Sequence, residues 1–298
     1  LAYDRFISSD GKYDYVLNLS ALKHVRSEKD VFTLMRMIDV NILNTEKTLR
    51  QSVQAGVKKY FCVSTDKASN PVNMMGASKR IMELVLASYS NQINISTARF
   101  ANVAFSDGSL LHGFEKRLQK QQPLAAPSDI RRYFITDHEA AVLCIMSCCF
   151  GQNGDVYFPK LDESQLISMT SIAEKFLKNH GFTPKLCSTE QEARSLMATL
   201  PAQGQWPCVF SPSDTTGEKE AEEFYEQQDS PDFHSYQQIG VLHQSAPEDQ
   251  QQLTHFYQQI NQIKAQPVWH KADIVKVFIA TLPGFMHQDT GKYLDGKM

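Results

Sequence analysis

Between Ser64 and Lys79 the chain gathers a hydroxyl, a carboxylate and two amines: Thr65, Asp66, Lys67 and Lys79. Groups of these types suit hydrogen bonding to a substrate hydroxyl and proton transfer by an acid and a base. Residues 58–63 are an apolar, β-branched and aromatic run that predicts a buried parallel strand. Asn70 and Pro71 mark a loop. Over 73–90 the positions of Met75, Ile81, Met82, Leu84, Val85 and Leu86 predict a helix with a wide buried face. Thr65, Asp66 and Lys67 therefore lie just past the carboxyl end of a strand, where open parallel sheets bind ligands. Met75 and Lys79 are four apart and share a helix face. Taken alone, these residue types are equally common in an ordinary loop, and a methionine on a helix face is usually core.

The surrounding elements give the fold class. Strands are predicted at 13–19, 58–63, 93–100 and 133–136. Helices are predicted at 31–54, with Leu34, Ile38, Ile42, Leu49 and Val53 on its buried face, and at 73–90 and 110–121. Asp137 is expected to cap a further helix ending at Phe150. Strand and helix in alternation predict an α/β doubly wound parallel sheet over 1–150. Residues 151–236 read as a smaller α/β region, with strands at 155–159 and 207–210 and helices at 168–179 and 189–197. Residues 237–298 read as a glutamine-rich extension with few core-forming residues and short helices at 249–264 and 273–282.

Composition narrows the function classes. The 298 residues are 42% hydrophobic and 21% charged, with a net charge of −3. No bulk attraction to nucleic acid follows from that charge, and no apolar run is long enough for a membrane span. The six cysteines show no zinc-ligand spacing, so no metal site is expected and free thiols in a cytoplasmic protein are. No glycine-rich phosphate-binding turn of the G-x-x-G-x-x-G type occurs.

The run from Ser64 to Lys79 resembles the active-site segment of the extended short-chain dehydrogenases/reductases, most closely the UDP-N-acetylglucosamine 4,6-dehydratases of bacterial polysaccharide synthesis (the CapD-like family). Residues 13–224 carry the similarity. The segment of Ala21, Leu22, Lys23 and His24 resembles the stretch that lies along the cofactor, and Asn41 the helix asparagine that steadies the site. Arg99-Phe100-Ala101-Asn102-Val103 resembles a segment near nicotinamide and substrate. Gly108-Ser109 and Arg131-Arg132-Tyr133-Phe134 resemble nucleotide-sugar contacts. Gly217-Glu218-Lys219 resembles a late motif, with Thr215 and Thr216 where arginine and proline usually stand.

The resemblance implies an incomplete Rossmann-type sheet. The 13–19 strand is similar to the family's fourth, and the first three, with the glycine turn, are missing. That leaves the 13–19 strand as an uncovered edge and points to a fragment. NAD is the implied cofactor and a UDP-sugar the implied partner. Hydride leaves C4 of the sugar, the C5 proton and the C6 hydroxyl are lost as water, and hydride returns to C6. Thr65 would bind the C4 hydroxyl, Asp66 would be the acid at C6, Lys67 the base at C5, and Lys79 the ribose ligand. Ala21, Leu22, Lys23, Asn41 and Phe100 would also meet the cofactor. Lys23, His24, Asn102, Ser109, Arg131 and Arg132 would meet the substrate. A neutral Lys67 needs a pKa about three units below the ordinary 10.4, about 4 kcal/mol, from desolvation or a nearby like charge. Met75 replaces the family's usual tyrosine, as in one branch of these dehydratases. A homo-oligomer through the helices starting near Val31 and Asn73 is expected. An epimerase of the same fold and a non-catalytic remnant that binds sugar nucleotide or a partner are the alternatives.

Overall fold

The computed structural model describes residues 2–9, 13–214, 222–245 and 251–291. The first half holds α1 (Ala2–Ser9), β1 (Tyr15–Asn18), α2 (Val31–Ile38), α3 (Asn44–Gln54), β2 (Lys59–Thr65), α4 (Met74–Ser88) and β3 (Asn94–Phe100). There follow β4 (Asn102–Val103), α5 (Leu110–Gln119), β5 (Leu124–Pro127), β6 (Arg131–Arg132), β7 (Phe134–Ile135) and α6 (Asp137–Phe150). The remainder holds β8 (Asp155–Pro159), β9 (Ile167–Ser168), α7 (Met169–Asn179), β10 (Thr183–Leu186), α8 (Glu190–Leu196), β11 (Gln205–Ser211), β12 (Ile239–His243), α9 (Gln251–Ala265) and α10 (Lys271–Thr281).

Five strands form the main sheet in the order β1-β2-β3-β8-β12, parallel except for β12. Helices cover both faces, so β2 is buried or half-buried throughout, with an apolar run from Tyr60 to Val63. Tyr60 and Cys62 pack against α3 and α4, while Phe61 meets Leu143 and Cys148 of α6. The chain is thus an α/β protein built on a largely parallel sheet. β1 is an edge strand bonded to β2, with Tyr15 and Leu17 exposed, as anticipated for the 13–19 strand.

The boundary anticipated at 150 is crossed in both directions. β8 and β12 complete the main sheet, whereas β5 joins β10 and β11 in a second, three-stranded sheet packed on α5 and α7. Strand pairing, not chain position, decides membership. The 237–298 extension is also more than a surface appendage. Leu253, Phe256, Ile260 and Ile263 of α9 and Ile274, Val277 and Phe278 of α10 share one core with Leu34, Met35, Ile38, Met74 and Ile81 of α2 and α4. The second apolar side of α2 and α4, expected to pair subunits, is therefore met by this chain's own helices.

The long helix expected at 31–54 is continuous but contains a π turn over Asp39–Leu43 between α2 and α3. Such a turn adds one residue to a helical repeat and turns one side chain out of the regular stripe. Here Asn41 stands in that turn. The cap expected at Asp137 is supplied by Thr136, whose side chain accepts from the Glu139 N–H in a capping box.

Candidate active site

β2 ends at Thr65, and Asp66–Ala68 turn once in a 3₁₀ helix before α4 begins. The Thr65 hydroxyl caps that turn and donates to Asp66 Oδ1 at 2.8 Å. Lys67 Nζ lies 3.1 Å from each Asp66 oxygen. Asp66 is only 4% exposed, whereas the Lys67 side chain is 32% exposed. Asn73 caps α4 by accepting from the Gly76 N–H at 2.8 Å. A Cβ on Gly76 would stand 2.3 Å from the Lys67 carbonyl oxygen. Glycine is therefore the residue that lets the turn press on the helix.

Thr65, Asp66 and Lys67 are brought together, but the setting of Lys67 differs from the one a C5 base needs. It is ion-paired and partly exposed, not isolated from opposite charge. Lys79 also departs from expectation. Its ammonium donates to the Val63 carbonyl at 2.8 Å and to Met82 Sδ at 3.1 Å, and the residue is 3% exposed. Burial lowers its pKa, with Cys62 and Glu83 pulling the other way. In this conformation it braces β2 instead of facing the Asp66 cluster. Met75 joins the apolar core of α2, α4, α9 and α10.

Asn41 acts as a clamp. Its amide donates to the Leu22 carbonyl at 3.0 Å and to Ser78 Oγ at 2.9 Å, and its oxygen accepts from the Leu22 N–H at 2.8 Å. The π turn thus ties the Ala21-Leu22 segment to α4. Lys23 stands at the surface; desolvation lowers its pKa against the pull of Asp107 and Asp137. His24 covers Gly108, where φ is +68° and a Cβ would lie 2.4 Å from the imidazole Cε1. Ser109 caps α5 by accepting from the His112 N–H, so its hydroxyl already has a structural use. Phe100 sits half-buried between two apolar clusters.

The remaining expected contacts meet at a residue that sequence reasoning passed over. Asn102 donates to the Tyr133 carbonyl at 3.2 Å and also to Glu222 Oε1. Arg132 Nε lies 3.5 Å from the same oxygen. The Tyr133 N–H donates to Glu222 Oε2 at 3.3 Å. Burial raises the Glu222 pKa; Arg132 opposes the rise, Asp66 adds to it and Lys67 opposes it. Its sequence signal was its place just after Gly217-Glu218-Lys219, a motif that lies, with Thr215 and Thr216, outside the described residues. Arg131 is exposed and donates instead to the Leu166 carbonyl at 3.3 Å.

Arg99 and Glu83 form the other buried group missed as a pair. Two guanidinium bonds, of 2.9 and 2.7 Å, join them, and both side chains are 1% exposed. Arg99 also donates to the Phe224 carbonyl, which fixes the chain just after Glu222. Among the described residues no cluster of three His, Cys, Asp or Glu side chains could hold a metal ion, and no helix is long and apolar enough to cross a membrane.

Comparison with known proteins gives a consistent picture. CapD, the capsular polysaccharide biosynthesis protein of Staphylococcus aureus, is 34% identical over 146 residues, 47% of this chain and 24% of its own. The inverting UDP-N-acetylglucosamine 4,6-dehydratase of Campylobacter jejuni strain 81-176 is 27% identical over 163 residues, 52% of this chain and 48% of its own. The chain thus spans about a quarter and about half of these two relatives. The crystal structure of Pen from Bacillus thuringiensis superposes with a TM-score of 0.65 at 21% identity, over 83% of this chain and 70% of that one. A family described as polysaccharide biosynthesis protein matches residues 5–244. With most of its length inside that match, the chain belongs to the polysaccharide biosynthesis protein family, as a CapD-like extended short-chain dehydrogenase/reductase.

Proposed function

We propose that this chain carries the substrate-facing machinery of a nucleotide-sugar 4,6-dehydratase acting on a UDP-N-acetylhexosamine, UDP-N-acetylglucosamine in the first place. The observation that supports it most is the Thr65–Asp66–Lys67 cluster at the carboxyl end of a central parallel strand, with Asp66 buried and the turn seated on Gly76. Cytoplasmic sugar-nucleotide metabolism is the setting this reading implies.

NAD fits one end of this site. Asn41 holds the Leu22 segment beside α4, and Lys79 stands on the same helix; these residues suit the nicotinamide and its ribose. The diphosphate end of such a cofactor is commonly held by a glycine-rich turn at a helix N-terminus, and these 298 residues contain no such turn. Bound NAD+ would accept hydride from C4 of the sugar and return it to C6. Thr65 holds the C4 hydroxyl, and Asp66, which accepts from Thr65, takes the C4 hydroxyl proton as hydride leaves. Asp66 gives a proton to the departing C6 hydroxyl, which leaves as water. Lys67, once released from Asp66 as the neutral amine, would remove the C5 proton and return one to C5 as hydride reaches C6. Lys79 would hold the ribose, which requires its ammonium to leave the Val63 carbonyl.

Burial of Lys79 and the core position of Met75 favour a second reading, in which the chain binds sugar nucleotide without turning it over. An experiment separates the two. The chain, alone and fused behind the glycine-loop half of CapD, is incubated with UDP-N-acetylglucosamine and NAD+, and NMR follows a 4-keto sugar. The dehydratase reading expects product from the fusion and at least about a 100-fold loss with Asp66→Asn or Lys67→Ala. A folded fusion that binds UDP and NAD+ yet forms no keto sugar decides for the second.

A further inference from the structure

The last described stretch of the chain, past α10, lies against the start of the active-site helix. Phe285 enters the core shared by α2, α4, α9 and α10. The Gln288 N–H donates to the Val72 carbonyl at 2.9 Å, and the Thr290 hydroxyl to the Asp214 carbonyl at 3.0 Å. Between Phe285 and Gln288, His287 Nε2 stands 2.9 Å from Glu28 Oε2. Glu28 ends the 3₁₀ turn of Val25–Glu28, which follows the Lys23–His24 segment, and is fully buried. The same Oε2 accepts from the N–H of Met74, the first residue of α4, at 3.1 Å. Residues 285–290 lie beyond the family match, which ends at residue 244. We propose that this C-terminal tail is a clasp on the active site, with His287 as a positioning residue: through Glu28 it fixes the first turn of α4, and so the place at which Gly76 receives the Asp66–Ala68 turn. Its bearing on catalysis rests on the reading of Thr65, Asp66 and Lys67 as the reacting cluster; the clasp itself does not.

The first N–H groups of an α-helix have no partner within the helix. In α4 the Gly76 N–H is met by the Asn73 side chain and the Met74 N–H by Glu28. Asn73 adjoins the helix, but Glu28 reaches it from another segment and depends on what holds it there. A buried carboxylate is costly unless donors meet it. Glu28 Oε1 has no hydrogen-bond partner among the described residues, so both donors fall on Oε2, and one of them is His287. A carboxylate oxygen accepts, so Nε2 carries the hydrogen. Without His287 the carboxylate keeps a single donor; it then turns toward water and releases Met74. Gly76 is two residues further on, where a Cβ would stand 2.3 Å from the Lys67 carbonyl oxygen, so the contact has no slack. A shift of the helix start therefore passes to the turn that carries Asp66 and Lys67. Phe285 and the bond from Gln288 to Val72 would suffice to anchor the tail; a buried acid shared with α4 adds the coupling.

NMR of the full chain tests this. The His287 ring should carry hydrogen on Nε2; a bare Nε2 would remove the bond to Glu28 and the proposal with it. His287→Ala should speed exchange of the Met74 amide by about tenfold or more, as the loss of a helix cap does. It should also move the amides of Gly76 and of Thr65–Ala68, while those of β10 and β11 stay in place. Imidazole added to that variant should return these resonances toward their original positions. His287→Gln, whose amide reaches about as far as Nε2, should disturb them least. A loss of stability alone would not produce this rescue. Gln288→Pro, which lacks the N–H to Val72, should move the same amides, and it serves if His287→Ala fails to fold. Changes confined to Glu28 and residues 285–291, with Thr65–Ala68 unmoved, would overturn the clasp and spare the proposed function. Displaced Thr65–Ala68 amides that neither imidazole nor glutamine restores would overturn the role of His287. A clasp that responds as expected, in a chain whose fusion forms no keto sugar, would overturn the proposed function alone.

Discussion

Glu83 accepts from Ser64 at 2.7 Å and twice from Arg99 inside the protein, and from the partly exposed Arg80 at 3.2 Å. Burial alone would raise its pKa; the opposing charge and hydrogen bonds of Arg99, with Arg80 and Ser64, win and hold it down to about 2. The folded carboxyl thus titrates below an unfolded one near 4.5. Its stabilisation is complete above that unfolded value and is lost as pH falls toward 2. A shift of this size corresponds to about 3 kcal/mol. Urea unfolding at successive pH values should show that loss across this window. Glu83→Gln should flatten this part of the profile and cost about 3–5 kcal/mol at neutral pH, because Arg99 is left charged and buried. The apolar run before Thr65, Asp66 and Lys67 was enough to place them at a strand end, while their reading as a candidate site came from the family resemblance. Glu83 and Glu222 were not legible in the sequence, since each looks like any acid on a helix or loop, and its partners lie far along the chain.

At the scale of elements, the site depends on one close approach. The 3₁₀ turn of Asp66–Ala68 rests on the first turn of α4 through Gly76 and the Lys67 carbonyl. Gly76→Ala poses a clear competition. Helix propensity favours alanine by up to about 1 kcal/mol. A Cβ 2.3 Å from a backbone oxygen cannot be relieved by a side-chain rotation, and overpacking of this kind costs about 1–3 kcal/mol. The clash should win by about 1 kcal/mol, with the Asp66–Lys67 turn displaced. Thermal unfolding would register the small loss, while NMR shifts at Thr65–Ala68 would be large relative to those in α6. β1, β2, β3 and β8, helix α4 and the sheet class could be read from alternation and apolar runs, whereas β5, β10 and β12 were not, and the strand expected at 133–136 pairs with β4 outside the main sheet. The π turn could not be read either. Its helix looks continuous from 31 to 54, and only the three-dimensional demand that Asn41 reach both Leu22 and Ser78 distinguishes it.

At the scale of the molecule, α9 and α10 decide what α2 and α4 can do. Abundant glutamine hides the spacing of Leu253, Phe256, Ile260 and Ile263, which recur every three or four residues and make one helical stripe. That stripe lies in the same core as Met75 and the start of α4, so the C-terminal helices belong to the frame of the candidate site. Phe256 is fully buried, with its ring 5.5 Å from that of Phe278 at 77°. Phe256→Ala should therefore cost about 3–5 kcal/mol. The distribution of that loss is more informative than its size. If α9 and α10 cover α2 and α4 in solution, amide exchange should quicken in α2, α4 and α10 together, while β10 and β11 of the second sheet keep their protection. The bared apolar surface should also raise the apparent mass by light scattering, because exposed faces of this kind associate. Faster exchange confined to α9, at unchanged mass, would mean that the α2–α4 face is closed by something other than these helices.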